Sequence, residues 1–222
     1  MKKDRIKIIY EDKNIIVVDK PTNMLTVATT KERENTLYHK TMNYLKQKNK
    51  NNKLFIVHRL DKDTSGVILF AKNEKIKNYF QDNWDDVAIS RKYMAVCEGV
   101  FERDEDTIKS YLIENKNNFI SHSTLNKKDG KLAITSYHLL KTSGKYNLVD
   151  IEIKTGRKNQ IRVHMKENNT PIVGDKKYGS NLNPIHRMCL HAYELVISYN
   201  NQEMVFTSKY PECFNLLFPN KK

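Results

Sequence analysis

At 222 residues, 39% of them apolar, the chain has the length and the material for a sizeable buried core. No run approaches the roughly 20 consecutive apolar residues of a membrane-spanning helix, and Lys7, Glu11, Asp12 and Lys13 break up any signal-peptide apolar region. The formal net charge of +13 points to a polyanionic partner, because Lys and Arg neutralise phosphates and release their counterions.

The chain opens with two β-branched runs, 6–10 and 15–18, separated by Glu11-Asp12-Lys13-Asn14, which predicts a hairpin. Pro21-Thr22-Asn23 then turns the chain. Leu37, Thr41, Tyr44 and Leu45 recur at helical spacing and predict a helix over 36–48, which runs out into a polar, lysine-rich surface stretch to 53. Strands are expected at 54–58 and 66–72, and Ile76, Tyr79, Phe80 and Trp84 mark a helix over 74–84. Residues 90–98, 107–113, 118–125, 132–140 and 146–154 read as strands. The pattern over 158–165 fits either strand or helix; Gly156 before it and Asn168-Asn169-Thr170-Pro171 after it favour helix. Strands near 189–199 and 203–207 and a short helix from Pro211 complete the chain. With no repeat period and no Pro/Gly-rich linker, residues 1–222 are expected to form one mixed α/β (α+β) domain around a large sheet.

Chemistry concentrates between the strands at 54–58 and 66–72. There Val57-His58-Arg59-Leu60-Asp61-Lys62-Asp63-Thr64-Ser65-Gly66 sets a carboxylate and a guanidinium among turn-forming residues on a short connection. Only eight of the 39 basic residues are Arg, yet Arg59, Arg91, Arg157 and Arg162 all fall within motif-like segments. A guanidinium offers a planar, bidentate fork that an ammonium cannot copy. Each residue also has an ordinary reading. Taken singly, Asp61 is a turn residue and Tyr93 a strand aromatic of the core. Arg162 is a solvated helix residue, and Arg59 a phosphate contact or surface charge. Cys97, Cys189 and Cys213 are odd in number and contain no C-x-x-C pair, which argues against a disulfide framework or zinc site and predicts a reducing cytoplasm.

In order, His-Arg-Leu-Asp-x-x-Thr-Ser-Gly over 58–66 resembles the signature of the RluA-type family of RNA pseudouridine synthases. The resemblance extends over nearly the whole chain. Residues 10–21 are similar to the family's opening hairpin and Lys-Pro turn, Arg91-Lys92-Tyr93 to its Lys-x-Tyr strand, and 131–137 to a Lys-x-Ala-x-Thr-x-Tyr pattern. Residues 156–162 resemble its Gly-Arg-x-x-Gln-Ile-Arg element, and Pro171-Ile172-Val173-Gly174-Asp175, Tyr178-Gly179 and Leu190-His191-Ala192 follow in the expected order. Two departures stand out. Asn159 occupies a position where His is frequent, and Ser208-Lys209-Tyr210-Pro211 deviates from the usual Ala-Pro-x-Pro-like ending.

The resemblance implies a pseudouridine synthase fold, a long, mostly antiparallel mixed sheet flanked by helices, and isomerisation of uridine in ribosomal RNA, transfer RNA or both. It implies that Asp61 is the catalytic aspartate and that Arg162 pairs with it and holds it ionised. Arg59 would fill the place left in the RNA stack by an extruded nucleotide, and Tyr93 would stack on the flipped base. The reaction breaks the N1–C1′ bond and rejoins the base through C5 with no net redox change, so no metal or organic cofactor is expected. The expected partner is RNA, not a membrane, and a monomer is the default state. Because the sequence begins at the hairpin, the N-terminal S4 RNA-binding module of several relatives is expected to be absent.

Other readings fare worse. The order His-Arg-Leu-Asp superficially matches a kinase catalytic loop, but the chain has no G-x-G-x-x-G, D-F-G or phosphate loop. A metal-dependent nuclease would need an acidic cluster such as Asp82, Asp85 and Asp86, which reads more simply as a solvated helix end. A catalytically silent RNA-binding protein is the remaining alternative; the intact Asp61 and Arg162 argue against it.

Overall fold

The β-branched and aromatic runs become strands, and the segments with three- and four-residue apolar spacing become helices, in the computed structural model of the protein, which describes residues 6–115 and 120–218. In chain order the elements are β1 (Lys7–Glu11), β2 (Ile15–Lys20), α1 (Leu37–Lys48), β3 (Phe55–Ile56), β4 (Ser65–Ala71), α2 (Glu74–Asp82), α3 (Trp84–Val87) and β5 (Ala88–Glu98). There follow β6 (Glu105–Glu114), β7 (Ser121–Thr124), β8 (Lys131–Ser143), β9 (Tyr146–Ile153), α4 (Gln160–Glu167), β10 (Leu190–Tyr199) and β11 (Gln202–Thr207). Short 3₁₀ turns occupy Lys176–Tyr178 and Glu212–Leu217. The fold is mixed α/β with mostly antiparallel strand pairing and few helices, as expected. The chain divides into two units, one running up to Ile89 and including Ala192–Lys209, the other holding Ser90–His191 and the residues from Tyr210. Among the described residues no helix is long and apolar enough to cross a membrane.

In the first unit β2 and β4 pair antiparallel, from Ile15↔Ala71 to Lys20↔Gly66. Both strands are buried on both faces, which explains their unbroken apolar runs. On one face Ile15, Val17, Val67 and Leu69 pack with Leu195, Ile197, Tyr199 and Phe206 and with Phe80 and Val87 from the helices. On the opposite face Tyr38 of α1 meets Phe70 edge-on at 6.3 Å. Helix α1 starts where Thr36 accepts the His39 amide and buries Leu37, Thr41 and Leu45 at successive four-residue steps. The helix expected over 74–84 breaks at Asn83, whose side-chain amide donates to the Tyr79 carbonyl at 2.8 Å and competes with the helical ladder.

Gly66, the second residue of the buried strand β4, has φ +120, and a Cβ there would overlap the Ala192 carbonyl of β10. Gly66→Ala therefore forces β4 and β10 apart and strains the backbone. We expect a loss of several kcal/mol, measured as a fall in the urea midpoint; a midpoint unchanged within error would contradict this packing.

In the second unit the strand order is β5-β9-β8-β6-β7. The register Tyr93↔Ile151 and Tyr137↔Ile151 sets Tyr93, Ile151 and Tyr137 on one face of this sheet, because directly opposed residues share a face. Ala133 lies on the same face, two strand steps of two from Tyr137, and packs with Leu112, with Val163 of α4 and with Tyr178. Helix α4 thus covers the face that carries Tyr93. The expected helix over 158–165 is present two residues later in the chain, at Gln160–Glu167. The strand expected over 118–125 is described only from Ser121; residues 118 and 119 lie outside the described residues.

Candidate active site

The segment carrying Arg59 and Asp61 joins β3 to β4, and its backbone is held at four consecutive carbonyls. Thr26 Oγ1 donates to the Leu60 carbonyl at 2.8 Å, and the Thr64 amide donates to the Asp61 carbonyl at 3.2 Å. The buried Lys20 ammonium donates to the Lys62 carbonyl at 2.9 Å, and Thr22 Oγ1 donates to the Asp63 carbonyl at 2.7 Å. Lys20 also donates to the Pro21 and Met24 carbonyls at 3.1 and 2.7 Å, so one cation ties the 20–24 turn to the motif. Upstream, His58 Nε2 accepts the Leu69 amide at 3.1 Å and its ring stacks on Trp84 at 4.8 Å, which makes His58 a structural anchor. On this rigid segment Asp61 is half-buried and Arg59 is exposed. From sequence Lys20 and Thr22 read only as part of the turn after β2, and Thr26 carries no signal; the available clue was Lys20 two residues after the apolar run 15–18, where a strand would otherwise have ended at a surface.

In the second unit Tyr93 is half-buried on β5, and Arg162 is buried on α4, against the expectation for a lone helix Arg. The fork of Arg162 grips Asp175, with Nε donating to Oδ2 at 2.6 Å and Nη2 to Oδ1 at 2.8 Å. Nη1 donates to Asn159 Oδ1 at 2.8 Å, and the guanidinium carbon lies 4.7 Å from the centre of the Tyr178 ring. Gln160, the first residue of α4, satisfies its whole amide. Its oxygen accepts from Thr155 Oγ1 and the Arg157 amide, and its nitrogen donates to the Ile134 carbonyl and Thr135 Oγ1 of β8. The motif's Gln is thus the pin that fixes the start of α4 against the sheet. Arg59 and Asp61 therefore belong to one connection of the first unit, and Tyr93 and Arg162 to one face of the second.

Two other groups in the second unit bear on its chemistry. His164 is fully buried, with Nε2 at 2.9 Å from Ser110 Oγ; the chain of contacts continues through Ser123 Oγ, at 3.0 Å, to Glu167. Burial pushes this imidazole down to about 4 from an ordinary value of 6.5, against the opposing pull of Glu167. The folded protein thus keeps His164 neutral while the unfolded chain takes up a proton below about pH 6.5. Stability should fall between pH 6.5 and 4 by roughly 3 kcal/mol from this group alone, with no further loss from it below 4. His164→Gln should flatten the fall in melting temperature over that window; an identical slope in the variant would contradict it. Burial raises the Cys97 and Cys189 thiols, Cys189 to about 12, so neither supplies a thiolate nucleophile. Among the described residues no group of three His, Cys, Asp or Glu side chains is placed to hold a metal ion, and Asp82, Asp85 and Asp86 sit at the junction of α2 and α3.

Comparison with known proteins gives these residues a family context. The sequence model for RNA pseudouridylate synthases matches residues 14–167, a span that includes all four candidate residues. The chain is 37% identical to the ribosomal large subunit pseudouridine synthase D of Borreliella burgdorferi, over 97% of this chain and 68% of that protein. It is 36% identical to the ribosomal large subunit pseudouridine synthase C of Rickettsia bellii, over 94% and 69% respectively. Its fold is similar to that of human RNA pseudouridylate synthase domain containing 4, with a TM-score of 0.78 at 22% identity, over 94% of this chain and 90% of that one. The chain belongs to the RNA pseudouridylate synthase family and is an isomerase that converts uridine in RNA to pseudouridine.

Proposed function

We propose that this protein modifies uridine in large-subunit ribosomal RNA, with Asp61 as the catalytic carboxylate. The observation that carries the reading is the clamped 60–63 backbone, which fixes the Cα of Asp61 while leaving its carboxylate on a half-exposed segment. A carboxylate that attacks the sugar or removes a sugar proton gains from such fixed placement, since orientation is supplied before the substrate arrives. In the same reading Arg59, exposed on that segment, takes the place of the extruded nucleotide in the RNA stack. Tyr93 stacks on the flipped base, and Arg162 is the cationic partner of Asp61. The chemistry moves one carbon–nitrogen bond to a carbon–carbon bond and needs neither a metal nor an organic cofactor. The ribosomal target rests on the names of the two bacterial relatives and on the +13 charge, which suits a polyanion.

The test is a transcriptome-wide pseudouridine map in a strain lacking the protein, complemented with the parent or with Asp61→Ala. Large-subunit ribosomal sites that vanish, return with the parent and stay absent with Asp61→Ala are the expected result. Loss confined to transfer RNA would overturn the proposed target. A second check is Arg162→Lys, which keeps the charge and loses the two-point fork. We expect turnover to drop on the order of a hundredfold, as for loss of a geometrically placed electrostatic group, with RNA affinity retained; near-parental turnover would sink the role of Arg162.

A further inference from the structure

We propose that Asp175 and Asn159 are positioning residues that lock the orientation of the Arg162 guanidinium. The inference rests on the reading of Arg162 as the cation that serves Asp61. Asp175 grips one edge of the fork at two points, 2.6 and 2.8 Å, and Asn159 Oδ1 takes Nη1 at 2.8 Å. The Tyr178 ring covers a face of the guanidinium, and its hydroxyl is itself held by the Ser121 amide at 3.0 Å. With three nitrogens and one face engaged, the planar group cannot rotate about its terminal bonds.

The cradle is specific in its details. Asp175 is 3% exposed and also accepts the Tyr178 amide, so its carboxylate is oriented from behind before it meets Arg162. Asn159 has a left-handed backbone at φ 56, a conformation that Asn tolerates better than most residues. That conformation places its carboxamide one helical turn before Arg162, at i,i+3. Asn159 thus supplies an acceptor at the position where His is frequent in the motif.

Contacts other than these two residues also anchor α4. Gln160 pins the helix start to β8, Val163 and Met165 are buried, and His164 meets Ser110. The turn at Lys176–Tyr178 has its own anchors in the Tyr178 hydroxyl and the Asp175 carbonyl, which accepts the Tyr178 amide at 3.0 Å. A buried ion pair is a weak source of net stability, and here it sits where the surrounding contacts already fix the chain. What the pair adds is a fixed direction for the guanidinium.

The experiment is a double-mutant cycle read by single-turnover pseudouridine formation, with total RNA from a strain lacking the protein as substrate and RNA affinity measured in parallel. Asp175→Asn should slow the chemical step about a hundredfold and Asn159→Gly about tenfold, with affinity within about twofold of the parent. Glycine keeps the left-handed backbone and removes only the acceptor. In an Arg162→Lys background both substitutions should cost little more, since residues acting through one group are not additive. Parental rates in both variants, or losses that multiply fully with Arg162→Lys, would overturn the inference while leaving the proposed function standing. Should Asp175→Asn fail to fold, the Asn159→Gly arm of the cycle decides by the same criteria. A parent that forms no pseudouridine overturns the proposed function, and this inference with it.

Discussion

Asp61→Ala should abolish pseudouridine formation, by at least about a thousandfold, while melting temperature and RNA affinity stay near parental values. The reason for that separation is structural. The bonds that hold the 60–63 backbone come from Thr26, Thr64, Lys20 and Thr22, and each reaches a carbonyl, so none depends on the Asp61 side chain. Removing the carboxylate therefore takes away the proposed reacting group and leaves these backbone bonds in place. Affinity for RNA is expected to survive because it draws on many cations, and it should weaken with salt in parent and variant alike. Residual turnover within tenfold of the parent would rule out Asp61 as the catalytic group.

Lys20→Met should destabilise the protein by roughly 3 kcal/mol and disable it as well. The side chains are close in size, so packing changes little, but three backbone carbonyls lose a charged donor in a site that excludes water. Each buried acceptor left without its bond costs about 1 kcal/mol or more. The Lys62 carbonyl is one of the three, so the Asp61 segment should loosen and activity should fall beyond what the unfolded fraction explains. Thr22→Val and Thr26→Val each remove one donor and should cost about 1 kcal/mol. Urea unfolding measures all three; a loss below about 1 kcal/mol for Lys20→Met would mean that the ammonium is not holding the loop.

Much of the fold was legible because its pattern is local. The hairpin of β1 and β2, the four-residue spacing of Leu37, Thr41 and Leu45, and the β-branched runs of β4 and β5 all lie where periodicity sets them. Gly156 and the Asn-rich exit correctly favoured helix for α4, whose alternation also fitted a strand. What sequence missed depended on contacts distant along the chain. The break at Asn83 follows from one side chain's choice of a backbone partner. The burial of Arg162 depends on Asp175, thirteen residues later. The role of Lys20 depends on a carbonyl forty-two residues away. A charged residue's ordinary reading is solvent exposure, and only a tertiary partner reverses it.

Within the second unit the same principle organises the face that α4 covers. Motif residues there act on one another before they act on any substrate: Gln160 on β8, Asp175 and Asn159 on Arg162, and Tyr178 beneath the guanidinium. Such preorganisation lets fixed dipoles and charges stabilise a transition state without reorganising at the moment of reaction.

The activity and its target are tested most directly by giving purified protein unmodified, transcribed large-subunit ribosomal RNA in EDTA, with no added cofactor, and quantifying pseudouridine at each uridine. Pseudouridine should appear at one or a few defined positions, at a rate that EDTA leaves unchanged, and Asp61→Ala should yield none. Salt-sensitive binding of that RNA with no pseudouridine formed at any position would contradict the proposed function.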